Sequence, residues 1–219
     1  MRQASHRAAQ KSAPMETLDA YLEALASARP TPGGGSAAAV AGALGAALVA
    51  MVARITEGNP KFAARASEAA ALAGHADELR ATLSRARSDD ESAFAAVVAA
   101  QALPRNSDEA KATRTAALQQ ALARASEAPL HTARIALDVL RAGRAALALE
   151  NRHLGSDAGC AAEFAAAALA AAAYNVRANH PYMSDAAQVA RQEAELFAIS
   201  AEGDGLLAAV RSSLKEAHQ

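Results

Sequence analysis

A run of 17 residues without a charged side chain, 37–53, constrains the fold more than any other feature of this chain. It reads AAAVAGALGAALVAMVA, and such small side chains let another backbone approach closely, so it predicts a buried helix at the centre of the fold. Three glycines, Gly33, Gly34 and Gly35, precede it and are expected to supply positive φ angles and close backbone approach, with Ser36 as the helix N-cap. The N–H groups of such a helix start suit a carboxylate or a phosphate. The glycines are therefore a candidate ligand-binding elbow.

Composition predicts an all-α protein, a bundle of long antiparallel helices. Hydrophobic residues make up 52% of the chain but aromatic residues only 3%, so alanine, leucine and valine dominate, and alanine and leucine are good helix formers. No segment alternates in the manner of a strand, and no lysine and serine or threonine follow the glycines as a phosphate-binding loop requires.

Charge and cysteine content exclude several classes of partner. The net charge is −1, without a basic stripe, which argues against nucleic acid as a partner. One cysteine rules out an internal disulfide and fits a reducing, cytoplasmic compartment. Histidines show no metal-binding spacing, so no metal is predicted. The two charge-free stretches, 37–53 and 164–176, are rich in alanine, and we expect them to be buried helices, not membrane spans.

The chain is expected to comprise a disordered tail, 1–14, and a single helical domain, 15–219. Apolar spacing, caps, prolines and glycines divide that domain into predicted helices. These span roughly 15–29, 37–57, 62–100, 107–127, 129–149, 156–179, 184–202 and 206–219. The third could also be two helices joined near Gly74, and Pro129 is compatible with the first turn of a new helix or with a kink.

Asp90 is the ionisable residue whose setting most suggests chemistry. It shares one helical stripe with Leu83, Phe94 and Val97, which would place its carboxylate in an apolar seam. Burial there would raise the pKa towards that of a general acid or base. Arg87, one turn earlier, would lower it, and an ordinary structural Arg–Asp pair is the alternative interpretation.

Asp157, Asn175 and Asn179 fall on one face of one predicted helix. Asp157 and Asn175 are nevertheless about 27 Å apart, since a helix rises about 1.5 Å per residue, so one small ligand cannot touch both within a subunit. A helix cap for Asp157 and interhelical hydrogen bonds for the two asparagines are equally good interpretations.

Several blocks together resemble the cyclodeaminase domain of the formiminotransferase-cyclodeaminase family and its single-domain bacterial relatives, which include methenyltetrahydrofolate cyclohydrolases. The matching text is PTPGGGSAAAVAGALGAALVAMV at 30–52, DDESAF at 89–94, LPRNSDEAKATRTAALQQAL at 103–122, SDAGCAA at 156–162 and AYNVRAN at 173–179. These blocks, in this order, cover most of 15–185.

The resemblance implies an all-α, homodimeric folate enzyme with its substrate in a cleft between helices. By that likeness Asp90 is the catalytic carboxylate, and the elbow of Pro32, Gly33, Gly34, Gly35 and Ser36 lines the folate pocket. Asp157, Asn175 and Asn179 match positions that the family keeps polar. Relatives usually carry a glycine followed by two or three lysines or arginines after the first core helix, where this chain has Gly58, Asn59, Pro60 and only then Lys61, and they tend to carry lysine where Arg105 stands. Lys61 and Arg105 are assigned to substrate binding. No metal and no cofactor beyond the folate substrate is implied.

The reaction expected from the resemblance is hydrolysis of 5,10-methenyltetrahydrofolate to 10-formyltetrahydrofolate. The alternative is a formiminotetrahydrofolate cyclodeaminase that releases ammonia, and the two are not separated by these residues. No formiminotransferase domain precedes the matching region, which favours the cyclohydrolase or an independent cyclodeaminase. A second alternative is a non-catalytic helical binding or assembly module, which the missing basic residues leave open.

Overall fold

The structure, a computed structural model, describes residues 17–216, in which every regular element is helical. The all-α prediction is confirmed for these residues, while the predicted tail, 1–14, lies outside them. The long helices are α1 (Leu18–Leu25), α2 (Gly34–Glu57), α3 (Ala66–Gln101), α4 (Asp108–Ala148), α5 (Gly155–Asn179) and α6 (Ala186–Glu216). Short 3₁₀ turns occupy Pro60–Arg65, Arg152–Leu154 and His180–Tyr182.

The described chain falls into two compact units. The first, up to Pro32, contains α1, whose N-cap Thr17 accepts a hydrogen bond from the N–H of Ala20 through its Oγ1 at 3.2 Å. The second begins at Gly33 and contains α2 to α6. The expected helix before the glycines is thus present, and the bounds of the 15–219 domain stay a prediction.

Helix α2 is the packing centre of the second unit, as the charge-free run predicts. Its glycines let neighbouring helices approach: a Cβ on Gly45 would lie 2.8 Å from the carbonyl oxygen of Ala161 on α5, and one on Gly42 would lie 3.1 Å from Leu83 on α3. Val49 of α2 is fully buried in the same core. Small residues therefore set the distance between α2 and its neighbours.

The start of α2 differs from the prediction. The helix begins at Gly34, so the glycines form its first turn, and the N-cap is Gly33 without a side-chain cap. Ser36 lies inside the helix and is not the cap. No described glycine has a positive φ, so Gly34 and Gly35 serve close approach and not an unusual backbone conformation.

Tertiary packing carries two helices through predicted breaks: at Pro129, where a kink is the alternative to a new helix start, and at the glycines of 203–205, where the predicted break is wrong. Helix α4 continues through Pro129. Proline lacks an N–H and leaves the carbonyl of Ala125 without its helical donor, and the Asn179 side chain donates to that carbonyl through Nδ2 at 3.1 Å. Helix α6 likewise continues through Gly203, on which a Cβ would lie 3.0 Å from Leu169.

Smaller differences occur elsewhere in the chain. Helix α3 is continuous through Gly74, as one of the two alternatives has it, but it begins at Ala66 after a 3₁₀ turn. Ser107 caps α4 as expected, with its Oγ accepting from the N–H of Ala110 at 3.1 Å. Ser156 lies within α5 and does not cap it.

Two segments have the length and hydropathy of a membrane span, Gly34–Glu57 and Arg152–Tyr182. About half of each apolar window is buried inside the protein, 56% and 50%, which is what core helices of a bundle show.

Candidate active site

The candidate site is centred on Asp90 of α3, whose carboxylate packs against the first turn of α2. Asp90 is half-buried on α3, and a Cβ built on Gly35 would lie 2.1 Å from its Oδ1 and 2.6 Å from its Cγ. Any side chain at Gly35 would therefore occupy the place of the carboxylate. This contact explains why a glycine stands there.

Ser36 holds two carboxylates by two different groups. Its backbone N–H, one of the first four of α2 and so without a helical acceptor, donates to Asp90. Its side-chain Oγ donates to Oε1 of Glu91 at 2.8 Å. Ser36 is fully buried, whereas both carboxylates that accept from it are half-buried.

Several causes act on the pKa of Asp90, and together they raise it above its ordinary value. The largest is burial of the carboxyl group, which disfavours the charged form. The N–H of Ser36 opposes it by stabilising the carboxylate, and the negative charge of Glu91 again raises the pKa. The predicted direction is confirmed, with the helix start and Glu91 as neighbours that periodicity did not reveal.

The expected apolar seam is only partly formed. Leu83 and Val97 are buried, whereas Phe94, one turn after Asp90, remains 40% exposed. Asp90 therefore sits at the edge of the core, where one side of the carboxyl group packs on α2 and Phe94 offers an accessible aromatic ring nearby.

Asn175 joins this site from α5. A Cβ on Gly34 would lie 3.1 Å from Asn175 Nδ2 and 3.3 Å from its Oδ1, so the amide faces the glycine turn. The Nδ2 donates to the carbonyl of Ala171 at 2.8 Å, which fixes the orientation of the amide. Glycine turn, Asp90 and Asn175 thus meet from three helices.

Asn179 lies one turn further along α5 and bonds to backbone. Its Nδ2 donates to the carbonyls of Ala125 and Asn175, at 3.1 and 2.9 Å. This is the interhelical bond that the sequence left open as an alternative to substrate binding.

Two other predicted residues, Lys61 and Asp157, are not brought to Asp90 within one subunit. Lys61 is exposed in the 3₁₀ turn that follows the far end of α2, about 35 Å from its glycine turn by helix rise. Asp157 is in the first turn of α5, about 27 Å from Asn175. Arg105 is exposed between α3 and α4. Pro32 ends the first compact unit, whereas the site described here belongs to the second.

Glu91 is the residue that sequence reasoning missed. Its signal was present as the third acid of the run Asp89, Asp90 and Glu91, but helical spacing directs attention to one residue of such a run. Only the packing of α3 on α2 shows that Glu91, like Asp90, reaches Ser36.

A half-buried carboxyl group of raised pKa at a glycine-rich helix start, in a helical fold, is a candidate for acid–base catalysis. Within 17–216, no group of three or more His, Cys, Asp or Glu side chains is arranged to hold a metal. The profile of the formiminotransferase-cyclodeaminase family matches residues 17–197. The chain belongs to this family.

Individual relatives agree with the assignment. The chain is 38% identical over 200 residues to a methenyltetrahydrofolate cyclohydrolase of Methylorubrum extorquens, covering 91% of this chain and 96% of that one. It is 33% identical over 169 residues to the formimidoyltransferase-cyclodeaminase of Rattus norvegicus, but spans only 31% of that longer protein. The crystal structure of a formiminotetrahydrofolate cyclodeaminase from Thermotoga maritima superposes with a TM-score of 0.83 at 26% identity over 93% of this chain and 98% of that one.

Proposed function

We propose that the protein is a methenyltetrahydrofolate cyclohydrolase in which Asp90 is the acid–base catalyst. The observation that carries the proposal is the position of Asp90: a half-buried carboxyl group of raised pKa, held at the start of α2 by the N–H of Ser36. Similarity over nearly the whole chain to a protein of that name supports the choice of reaction.

One carboxyl group can serve both proton transfers of this reaction. Water attacks the methenyl carbon and gives up a proton to the Asp90 carboxylate. The methenyl carbon becomes a tetrahedral centre that carries a hydroxyl group. Asp90 then gives that proton to N5 and the bond between carbon and N5 breaks. The carbinol hydroxyl gives its proton to the regenerated Asp90 carboxylate, which releases it to solvent, and the formyl group stays on N10. A carboxyl group whose pKa is raised towards neutrality is suited to both roles in turn.

The same site supports formiminotetrahydrofolate cyclodeaminase activity as the second candidate. There N10 attacks the formimino carbon, and Asp90 would take the proton from N10 and protonate the departing ammonia. Relatives with cyclodeaminase names, one of them similar in structure over nearly the whole chain, favour keeping this candidate.

The test is to incubate the purified protein with 5,10-methenyltetrahydrofolate and, separately, with 5-formiminotetrahydrofolate, following the methenyl absorbance. Enzyme-dependent loss of the signal is the expected result. Appearance of the signal with ammonia from the second substrate would replace the proposal by the cyclodeaminase. Binding of reduced folate without either reaction would favour a non-catalytic module, and Asp90→Asn is the control that must abolish any turnover attributed to this site.

Asn175 and the glycine turn are proposed to bind the folate, because they lie beside Asp90 on α2 and α5. Ser36 is fully buried and bonded to both carboxylates, so its proposed part is to hold Asp90 and Glu91 in place. For Lys61, Arg105, Asp157 and Asn179, substrate binding stays a prediction from the resemblance. Replacing Asn175 by Ala should raise KM more than it lowers kcat, and Asp157→Ala is the comparison at the far end of α5. Equal effects of the two substitutions would contradict this assignment of the pocket.

We also propose that the protein is a cytoplasmic homodimer that uses no further cofactor. Support for the dimer comes from α2, where Leu44, Met51 and Ile55 are 49%, 37% and 48% exposed on one face. Residues 37–53 of this helix carry no charge, and Arg54 is its first charged residue. A second copy would cover this row through a symmetric contact. Light scattering should give twice the mass of the chain, and Leu44→Glu should give the monomer. A monomeric native protein, or one that partitions into detergent, would refute the proposal.

A further inference from the structure

The acidic residue beside Asp90 has an arrangement that a surface glutamate does not need. Glu91 is half-buried, and its Oε1 accepts a hydrogen bond from Ser36 Oγ at 2.8 Å. The same Ser36 donates its N–H to Asp90. Two consecutive carboxylates of α3 are therefore fixed to one buried residue of α2.

This arrangement brings two like charges together where separation would be easy. A glutamate side chain on a helix can turn towards water, which lowers its repulsion with a neighbouring carboxylate. Here the Ser36 hydroxyl keeps Glu91 at the site. A like charge held close to a carboxyl group favours the protonated form of that group.

We propose that Glu91 is a positioning residue for the reaction: Ser36 Oγ fixes its carboxylate beside Asp90, where its negative charge makes Asp90 a stronger base for the attacking water and holds the proton until it passes to the leaving nitrogen. This inference rests on the proposed function. The role assigned to Glu91 is exerted through the protonation of Asp90 and not through contact with the substrate.

Among the charged groups near Asp90, Glu91 is the carboxylate that a hydrogen bond holds at the site. Helix α2 has no acidic residue in its first turn, and α5 contributes the uncharged Asn175. On α3, Arg87 lies one turn earlier and Asp89 is exposed. Asp89 lines a separate groove towards α4, together with Arg124, Glu127 and His131.

Asp89 provides a matched control, because it also adjoins Asp90 in sequence but faces that other groove. Glu91→Gln removes the charge while keeping the size of the side chain and an oxygen that can accept from Ser36. Asp89→Asn removes an equal charge on the other side. If fixed proximity matters, only the first change should affect Asp90.

The experiment is the dependence of kcat/KM on pH for the native protein and both variants. In Glu91→Gln, the limb due to Asp90 should move to lower pH by roughly half a unit to one unit, the order expected for removal of one neighbouring charge in a half-buried site. In Asp89→Asn it should move by less than about 0.2 unit, since an exposed charge is screened by water and salt. Superimposable profiles for the native protein and Glu91→Gln, or equal shifts in both variants, would overturn the proposal.

Ser36→Ala tests the same inference without altering either carboxylate. It removes the hydroxyl donor to Glu91 and keeps the N–H donor to Asp90, so the limb should move in the same direction as in Glu91→Gln but less far. The double variant should match Glu91→Gln alone. Additive shifts would mean that Ser36 acts on Asp90 by another route, and would count against the proposal.

A carbon-13 NMR titration of the Asp90 carboxyl, assigned with Asp90→Asn, separates this inference from the proposed function. Glu91→Gln should lower its titration midpoint in the free protein whether or not either folate is turned over. A lowered midpoint in an inactive protein would refute the proposed reaction and leave the coupling standing. An unchanged midpoint in an active protein would refute the coupling alone.

Discussion

The contact between Gly35 and Asp90 makes Gly35→Ala the sharpest test of the site. An added Cβ would lie 2.1 Å from Asp90 Oδ1, whereas an ordinary contact is 3.4 Å or more, so the carboxylate oxygen must retreat by 3.4 − 2.1 = 1.3 Å. Because Cγ is also within 2.6 Å, rotation of the terminal group alone cannot relieve the overlap and the whole carboxyl must move. A catalytic group displaced by about 1 Å loses roughly 100-fold in rate, so kcat should fall by about that factor.

The fold should survive this change. Alanine favours a helix over glycine by up to about 1 kcal/mol, which offsets part of the local strain at the helix start. The assay is loss of methenyl absorbance at saturating substrate, accompanied by thermal unfolding. Gly74→Ala is the control: it lies on α3 with Asp90, its Cβ would meet nothing within 4 Å, and it should raise stability by about 0.5–1 kcal/mol with kcat unchanged. A Gly35→Ala variant with kcat within about twofold of the native value would refute the reasoning.

Three further predictions concern stability. The folded-state pKa of Asp90 is raised, so its contribution to stability is fully present below the unfolded pKa of about 4 and is lost as pH rises through the folded pKa. Asp90→Asn should therefore unfold at the same or a higher temperature than the native protein near pH 7. The difference should vanish in acid, and calorimetry at several pH values measures it. Gly45→Ala should destabilise by about 1–3 kcal/mol in urea, since its Cβ would meet a backbone carbonyl of α5 at 2.8 Å that cannot rotate away, and a neutral effect would contradict the close packing. Asn179→Ala should lower the free energy of unfolding by about 1–3 kcal/mol. The loss should be much smaller in a Pro129→Ala background, where the restored N–H can reach the Ala125 carbonyl. A double-mutant cycle with no coupling would show that the Asn179 amide does not replace the missing donor.

Sequence reasoning succeeded where the signal is local or carried by resemblance. The scarcity of strand formers predicted the all-α class, the charge-free run predicted the core helix α2, and Ser107 before Asp108 predicted the start of α4. These features depend on the chemistry of neighbours in the chain, which the letters show directly.

Sequence reasoning failed where contacts with residues far away in the chain let a helix continue through proline or glycine. Pro129 and the glycines near 203–205 normally interrupt helices, yet α4 and α6 continue through them. In α4 the Asn179 amide, 54 residues away from Ala125, donates to the carbonyl that proline leaves without a donor. No window of sequence contains both partners.

The same division applies to the site. The sequence by itself determined the helical class and the membership of the family, and through the family resemblance it predicted Asp90 as the catalytic residue, because periodicity and motif order are properties of the chain. Only the tertiary structure decided that Asp90 packs directly on Gly35, that Ser36 holds two carboxylates, and that Asn175 lies beside the glycine turn. It also decided that Lys61, in the turn after α2, and Asp157, at the start of α5, lie far from that turn. The physical reason is that these contacts depend on the register and separation of packed helices, which are fixed by small side chains meeting across α2, α3 and α5 and not by the order of residues in any one of them.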